Sequence, residues 1–155
     1  AIFRNWQLNG YWSMYSGMPV QITSSVDRAL RARPNRPDRL RNAQLSTSRP
    51  RSQLISQYFD TNAYAVNQLG TFGSAPRTDS QLRAPGSITV NIGAFKSFRG
   101  IRESDKVQFR SEFFNIFNRP NFGAPGSNID APSSFGRITS AADGRVIQFA
   151  LKYLF

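Results

Sequence analysis

Strict alternation of apolar and polar residues marks four segments of the chain as β-strands. The clearest segment ends the chain, where every second position is apolar: Ile147, Phe149, Leu151, Tyr153 and Phe155. The four predicted strands lie near residues 6–16, 87–98, 105–117 and 145–155. Each is long enough to cross a bilayer at a tilt, which takes about 9 to 11 residues. The pattern predicts an all-β fold of antiparallel strands, although a soluble sheet with one wet face would alternate in the same way.

The lengths of the connections favour a membrane barrel over a soluble sheet. Long segments near residues 17–86 and 118–144 follow the first and third strands, whereas a short turn joins the second strand to the third. Connections in compact soluble domains have a median of about 4 to 6 residues, while outer-membrane barrels alternate long extracellular loops with short periplasmic turns. We therefore predict the C-terminal part of a transmembrane β-barrel in the cell outer membrane, with both long segments as extracellular loops. The first loop is expected to carry short elements of its own around residues 54–64.

The beginning of the chain indicates that it belongs to a longer protein. It enters a patterned segment within a few residues, with neither an initiator Met nor the apolar segment of a signal peptide. Four strands alone cannot close a barrel, and unpaired strand edges in hydrocarbon are very costly. We interpret residues 1–155 as a C-terminal barrel fragment.

Two charged residues fall on the polar face of the third predicted strand. Arg110 and Glu112 are two positions apart, so both side chains are expected to point into the barrel lumen. We interpret them as a neutralising pair that lines a polar interior. Contact with a transported substrate is the alternative.

Positive charge is concentrated in the first long loop. The whole chain has 20 Lys and Arg against 9 Asp and Glu, a formal net charge of +11. Candidates for contact with lipopolysaccharide or an anionic ligand are Arg28, Arg31, Arg33, Arg36, Arg39 and Arg41. A soluble basic β domain that binds nucleic acid is a further alternative, because phosphate backbones attract such charge, but nucleic acid is not the partner we expect.

Most residue types that carry enzyme chemistry are missing or scattered. The chain has no Cys and no His, which excludes thiolate and imidazole chemistry and the usual zinc sites. Its carboxylates are dispersed, and we find no phosphate-binding glycine loop or nucleophile elbow. We therefore expect no catalytic residue, no metal site and no cofactor, and not an enzyme.

Several stretches carry more specific motifs than simple alternation. They are Tyr-Ser-Gly-Met-Pro-Val at 15–20, Tyr-Phe-Asp-Thr-Asn-Ala-Tyr at 58–64, Gly-Thr-Phe-Gly at 70–73, Leu-Arg-Ala-Pro-Gly at 82–86, the segment 109–122 with its Phe-Asn-Ile-Phe-Asn core, and Phe-Gly-Arg-Ile-Thr at 135–139. Together they resemble the C-terminal portion of TonB-dependent, Oar-like outer-membrane receptors of the acidobacterial type. The resemblance covers nearly the whole chain.

The resemblance implies a receptor or transporter that takes up an unidentified ligand. TonB would act through an N-terminal part that residues 1–155 do not include, and outer-membrane lipid and lipopolysaccharide would surround the barrel. The alternating residues of the last strand resemble the signal that the barrel assembly machinery recognises. A passive structural or adhesive barrel remains an alternative.

Overall fold

The computed structural model describes residues 4–31, 35–102 and 104–155. In chain order the elements of these ranges are β1 (Trp6–Tyr15), β2 (Pro19–Val20), β3 (Asp38–Arg39), α1 (Arg51–Ser56), a 3₁₀ helix (Thr61–Ala63), β4 (Tyr64–Ala65), β5 (Asp79–Arg83), β6 (Ser87–Arg99), β7 (Lys106–Phe114) and β8 (Val146–Leu154). The predicted all-β class with antiparallel pairing is confirmed. None of the described helices has the length and apolarity to cross a membrane.

The four long strands form one antiparallel sheet in the order β1-β6-β7-β8. At one end of this sheet Tyr15 pairs with Ser87, and Phe114 pairs with Val146. At the other end a short turn joins β6 to β7, and the Gly100 N–H donates to the Asp105 carbonyl at 2.9 Å. Both long connections therefore leave the strands at one end, and the short turn lies at the opposite end.

The strand register aligns the apolar positions of all four strands on one face of the sheet. Trp12 in β1 lies opposite Val90 in β6, and Phe113 in β7 lies opposite Ile147 in β8. Directly paired residues project to the same side of a sheet, so these side chains share a face. Phe149 on this face is 64% exposed. A contiguous apolar surface of this kind is covered by lipid or by another protein surface in functional proteins.

The third long strand ends earlier than predicted. The sequence predicted it to residue 117, but β7 stops at Phe114 because Asn115 adopts a positive φ of 51°. Asn tolerates this left-handed conformation better than most residues. The Asn115 side chain then closes a turn, accepting from the Arg119 N–H at 3.0 Å and donating to the Arg119 carbonyl at 2.9 Å.

Residues 16–86 and 122–141 form a second compact unit, which we call the loop body. Three aromatic rings meet edge to face at its centre: Phe59 lies 5.3 Å from Phe135 and 6.0 Å from Tyr64. Smaller apolar residues surround them, namely Val20, Ile22, Ala43, Ala63, Ala75 and Leu82. The two long connections thus have a hydrophobic core of their own.

Close backbone contacts bring separate motifs together in the loop body. The Ala84 N–H donates to the Met18 carbonyl at 2.8 Å, and a Cβ on Gly17 would lie 1.5 Å from the Ala84 carbonyl oxygen, so only glycine fits there. The Tyr58 N–H donates to the Gly136 carbonyl at 2.6 Å, with Gly136 at a φ of 74° that favours glycine. The motifs singled out in the sequence therefore include the contacts that assemble the loop body.

Short helices occupy the part of the first loop where local elements were expected. The helix α1 and the 3₁₀ helix fall within and beside residues 54–64. The Asp60 side chain begins the 3₁₀ helix by accepting a hydrogen bond from the Asn62 N–H at 3.0 Å. This cap fixes the chain between the buried residues Phe59 and Ala63.

Candidate functional site

Four of the residues predicted as the barrel assembly signal, Ile147, Phe149, Leu151 and Tyr153, lie on the apolar face of β8, and the fifth, Phe155, directly follows the strand. All five side chains are exposed. Phe149 stacks on Phe109 of the neighbouring strand with ring centres 5.9 Å apart, and Tyr153 stacks on Phe155 at 6.3 Å. Within the described ranges β8 pairs with β7 alone, so its other edge offers backbone groups to a further strand. The terminal strand thus presents both an apolar face and an unfilled edge.

The polar face of the sheet brings Arg110 and Glu112 together. The Arg110 Nη2 atom lies 3.8 Å from the Glu112 Oε1 atom, with 38% and 30% of the side chains exposed. A pair this exposed contributes little to stability. The Arg110 guanidinium also lies 4.6 Å from the centre of the Phe95 ring, on the same face. The Arg110 guanidinium therefore lies next to both the Phe95 ring and the Glu112 carboxylate.

The six candidate arginines of the first loop differ in the surroundings that the structure describes. Arg39 forms an ion pair with Asp79 at 3.2 Å, and Arg41 forms one with Asp60 at 2.8 Å. Arg39 also donates to the Gln81 side chain at 3.0 Å. Both guanidinium groups therefore form ion pairs within the loop body. An external anion that binds either group has to compete with its carboxylate partner.

Arg28, Arg31 and Arg36 form no ion pair with a carboxylate of the described residues. Arg31 is exposed, and its guanidinium lies 5.3 Å from the centre of the Phe72 ring. Arg28 and Arg36 are half-buried. Arg33 lies outside the described residues. Among the described arginines of the set, Arg39 and Arg41 thus form ion pairs within the loop body, whereas Arg28, Arg31 and Arg36 do not.

Arg39 belongs to a buried polar centre of the loop body. The Tyr64 hydroxyl donates to Asp79 Oδ2 at 3.4 Å, and Asp79 is buried. Burial raises the pKa of Tyr64 to about 12, and the nearby Asp79 charge adds to the increase. The tyrosine therefore stays protonated and donating at any physiological pH.

Asp130 holds the two long connections to each other. Its Oδ2 atom accepts hydrogen bonds from the Ser24 hydroxyl at 2.7 Å and the Ser25 N–H at 2.7 Å. Burial raises the pKa of Asp130, but hydrogen bonds from Ser24, Ser25 and Val26 outweigh that effect and lower the pKa below its usual value. No local sequence pattern predicts this contact, because Ser24 and Asp130 lie 106 positions apart in the chain.

Comparison with known proteins adds information that is independent of this geometry. A family model described as an outer membrane beta barrel domain matches residues 1–148. The match includes β1, β6 and β7, both long connections and the beginning of β8. No curated protein and no solved structure matches the chain.

Proposed function

The chain belongs to the outer membrane β-barrel domain family, whose members lie in the outer membrane, and we propose that it is part of a TonB-dependent receptor that imports a ligand. The observation that carries the proposal is the loop body. Both long connections have a shared hydrophobic core, which a passive pore with short, simple loops would not need. A folded body of this kind supplies fixed side chains for recognising a ligand.

The open sheet supports the proposal that further strands complete the barrel. Unpaired N–H and C=O groups cost several kcal/mol each in hydrocarbon, so the edges of β1 and β8 need partners. We propose that strands of the same receptor supply them, and that the barrel assembly machinery recognises β8 through strand addition. Arg110 and Glu112 would then line the lumen. We propose a receptor rather than an enzyme, with TonB acting through an N-terminal part.

The transport function is tested by uptake in cells that carry the full-length protein. Candidate peptides, carbohydrates and metal chelates are screened for binding and for uptake, with and without TonB. In the receptors that this sequence resembles, an N-terminal plug closes the barrel and is moved by energy from the inner membrane through TonB. We therefore expect binding in both backgrounds and accumulation in the periplasm only where TonB is present. A strain that expresses the plug-deleted protein controls for passive leakage.

Two other results would favour the alternatives. Adhesion to surfaces or polysaccharide, with no TonB-dependent uptake of any ligand, would support a structural or adhesive barrel. Detergent-free, salt-sensitive binding of DNA or RNA would support a soluble nucleic-acid-binding domain. Either result would contradict import.

We further propose that Arg28, Arg31 and Arg36, together with Arg33, contact the phosphates of lipopolysaccharide. A charge near an anionic lipid surface contributes about 1 kcal/mol, so replacing Arg28, Arg31 and Arg36 with Gln should weaken lipopolysaccharide binding on the order of a hundredfold. The effect should shrink at high salt. Binding is measured with the full-length protein and purified lipopolysaccharide.

The control removes the same charge from exposed arginines elsewhere in the loop body: Arg51, Arg77 and Arg137. We expect the control variant to bind lipopolysaccharide almost as the unmodified protein does. An equal loss in both variants would mean that net charge alone matters. Unchanged lipopolysaccharide binding with reduced uptake of an anionic ligand would support ligand capture by these arginines instead.

A further inference from the structure

Gly93 of β6 forms the floor of a hollow on the polar face of the sheet. It lies between Asn9 of β1 and Glu112 of β7 in one row of paired residues, and the next row begins with Tyr11 opposite Asn91. Because Gly93 has no side chain, the residues of these two rows can enclose a space above the backbone. The hollow has a volume of about 310 Å³, near the lower limit of the roughly 300–1,000 Å³ of ligand pockets. It can therefore hold a small ligand or one unit of a larger ligand.

The polar groups around the hollow include both donors and acceptors of hydrogen bonds. Asn9 leans over Gly93, because a Cβ on Gly93 would collide with the Asn9 side-chain oxygen. The Asn91 side-chain oxygen accepts from a backbone N–H of the turn after β7 at 2.9 Å, so its NH₂ group is the part that can donate to a ligand. Glu112 supplies a carboxylate, and the Arg110 guanidinium 3.8 Å away offsets its charge. The set is therefore rich in hydrogen-bonding groups but close to neutral.

Two aromatic rings border the same hollow. Tyr11 and Phe114 line it, and their side chains are 58% and 40% exposed. Because alternate residues of a strand share a face, Phe114 projects to the same side of the sheet as Glu112. Exposed rings offer flat apolar surface, and the Tyr11 hydroxyl adds a polar group at the ring edge. The hollow therefore presents apolar surfaces beside its hydrogen-bonding groups.

This combination of groups suits a neutral carbohydrate. A sugar ring carries hydroxyl groups that donate and accept hydrogen bonds, while its C–H bonds form apolar faces. Amide and carboxylate groups bind such hydroxyls, and aromatic rings cover the apolar faces. An anionic ligand would be repelled by Glu112, and a cationic ligand by Arg110. Charge complementarity thus favours a neutral ligand with many hydroxyl groups over an acidic peptide or an anionic metal chelate.

We propose that this hollow binds one unit of a neutral oligosaccharide. The Asn9 and Asn91 amides and the Glu112 carboxylate bind the sugar hydroxyls. The rings of Tyr11 and Phe114 pack against the apolar faces of the sugar. The inference rests on the proposed import function, because it takes the polar face to line the lumen, and it gives the imported ligand a chemical class.

An array of neutral oligosaccharides, followed by calorimetry with the strongest binder, tests the site. The full-length protein is kept in an amine-oxide detergent, because detergents with sugar headgroups would compete. Gly93→Val displaces the Asn9 amide and fills the floor of the hollow, so we expect it to bind the oligosaccharide on the order of tenfold more weakly. Glu112→Gln keeps the shape of the side chain but removes its charge. It should bind about fivefold more weakly, because hydrogen bonds to a charged acceptor are stronger than those to a neutral one.

Ala94→Val is the matched control. Ala94 is the next residue of β6 and lies on the opposite, apolar face, so the same valine side chain is placed outside the hollow. We expect normal oligosaccharide binding by this control, and heat-modifiable electrophoretic mobility shows that each variant assembles. An equal loss in the control, or unchanged binding by both test variants, would overturn the site.

Three further results separate this site from the import function. Oligosaccharide binding only after deletion of the plug would mean that the plug covers the hollow, which would overturn the site. TonB-dependent uptake of a peptide or a metal chelate, with no oligosaccharide bound, would overturn the site alone. Oligosaccharide binding that Gly93→Val weakens, with no TonB-dependent uptake, would support the site and contradict import.

Discussion

Replacing Phe149 with Arg is expected to prevent stable assembly of the barrel. Phe149 lies near the middle of β8 on the exposed apolar face, stacked on Phe109. An arginine on the lipid face at the bilayer midplane destabilises an outer-membrane barrel by about 2–4 kcal/mol. Assembly is measured by the heat-modifiable electrophoretic mobility of the full-length protein, and stability by urea unfolding in lipid vesicles.

The neighbouring residue supplies the control for this prediction. Gln148 is one position away on the same strand, and its direct partner in β7 is Glu112. Because it faces the polar side, Gln148→Arg adds the same charge beside a carboxylate and should leave assembly nearly unchanged. Equal tolerance of arginine at both positions would contradict a lipid-facing sheet. An equal loss of assembly in both variants would indicate that β8 does not accommodate an arginine on either face.

Period-two alternation was sufficient to predict the two faces of the sheet. It assigned Trp12, Val90, Phe113 and Ile147 to apolar positions, and the register then placed them on one face. Alternation could not reveal where β7 ends, because aromatic residues continue past Phe114 while the backbone turns at Asn115. A local change of φ leaves no trace in a hydrophobic pattern.

The charged residues show a second limit of the linear sequence. The eight arginines between residues 28 and 51 suggest a single basic patch, yet Arg39 and Arg41 form ion pairs with Asp79 and Asp60, which lie outside that segment. Lys96 shows the converse, since it lies among apolar neighbours and its environment depends on the pairing of β1 with β6. Some charged residues that the sequence alone suggests are solvated thus make contacts within the fold, and their role depends on those tertiary contacts.

The sheet and the loop body differ in where they place their apolar residues. The sheet exposes an apolar face, which lipid would cover, whereas the loop body places Phe59, Tyr64 and Phe135 inside. Among the sequence motifs that carry the family resemblance, some aromatic residues lie on the sheet and others lie in the core of the loop body. A substitution of Phe should therefore affect either assembly in the membrane or the folding of the loop body, depending on the side chain's surroundings.

Truncation of Phe59 to Ala is expected to unfold the loop body while the barrel stays assembled. Phe59 is 0% exposed and contacts both other core rings. Removing a buried Phe side chain costs about 3–5 kcal/mol, a large share of what a small core supplies. Limited proteolysis and hydrogen exchange of residues 16–86 measure the loss of protection, and heat-modifiable mobility reports on the barrel. Ligand uptake should fall with the loss of loop structure.

Phe72→Ala is the matched control, since the Phe72 ring is 67% exposed and contacts the Arg31 guanidinium. Its removal costs a cation–π contact worth about 0.5–1 kcal/mol at an exposed site, which leaves the core intact. Protection of residues 16–86 should therefore remain near that of the unmodified protein. Full protection in the Phe59 variant would contradict a core built on that ring. Simultaneous loss of the assembled barrel would mean that the loop body and the sheet fold as one cooperative unit, because destabilising the loop core would then also unfold the strands.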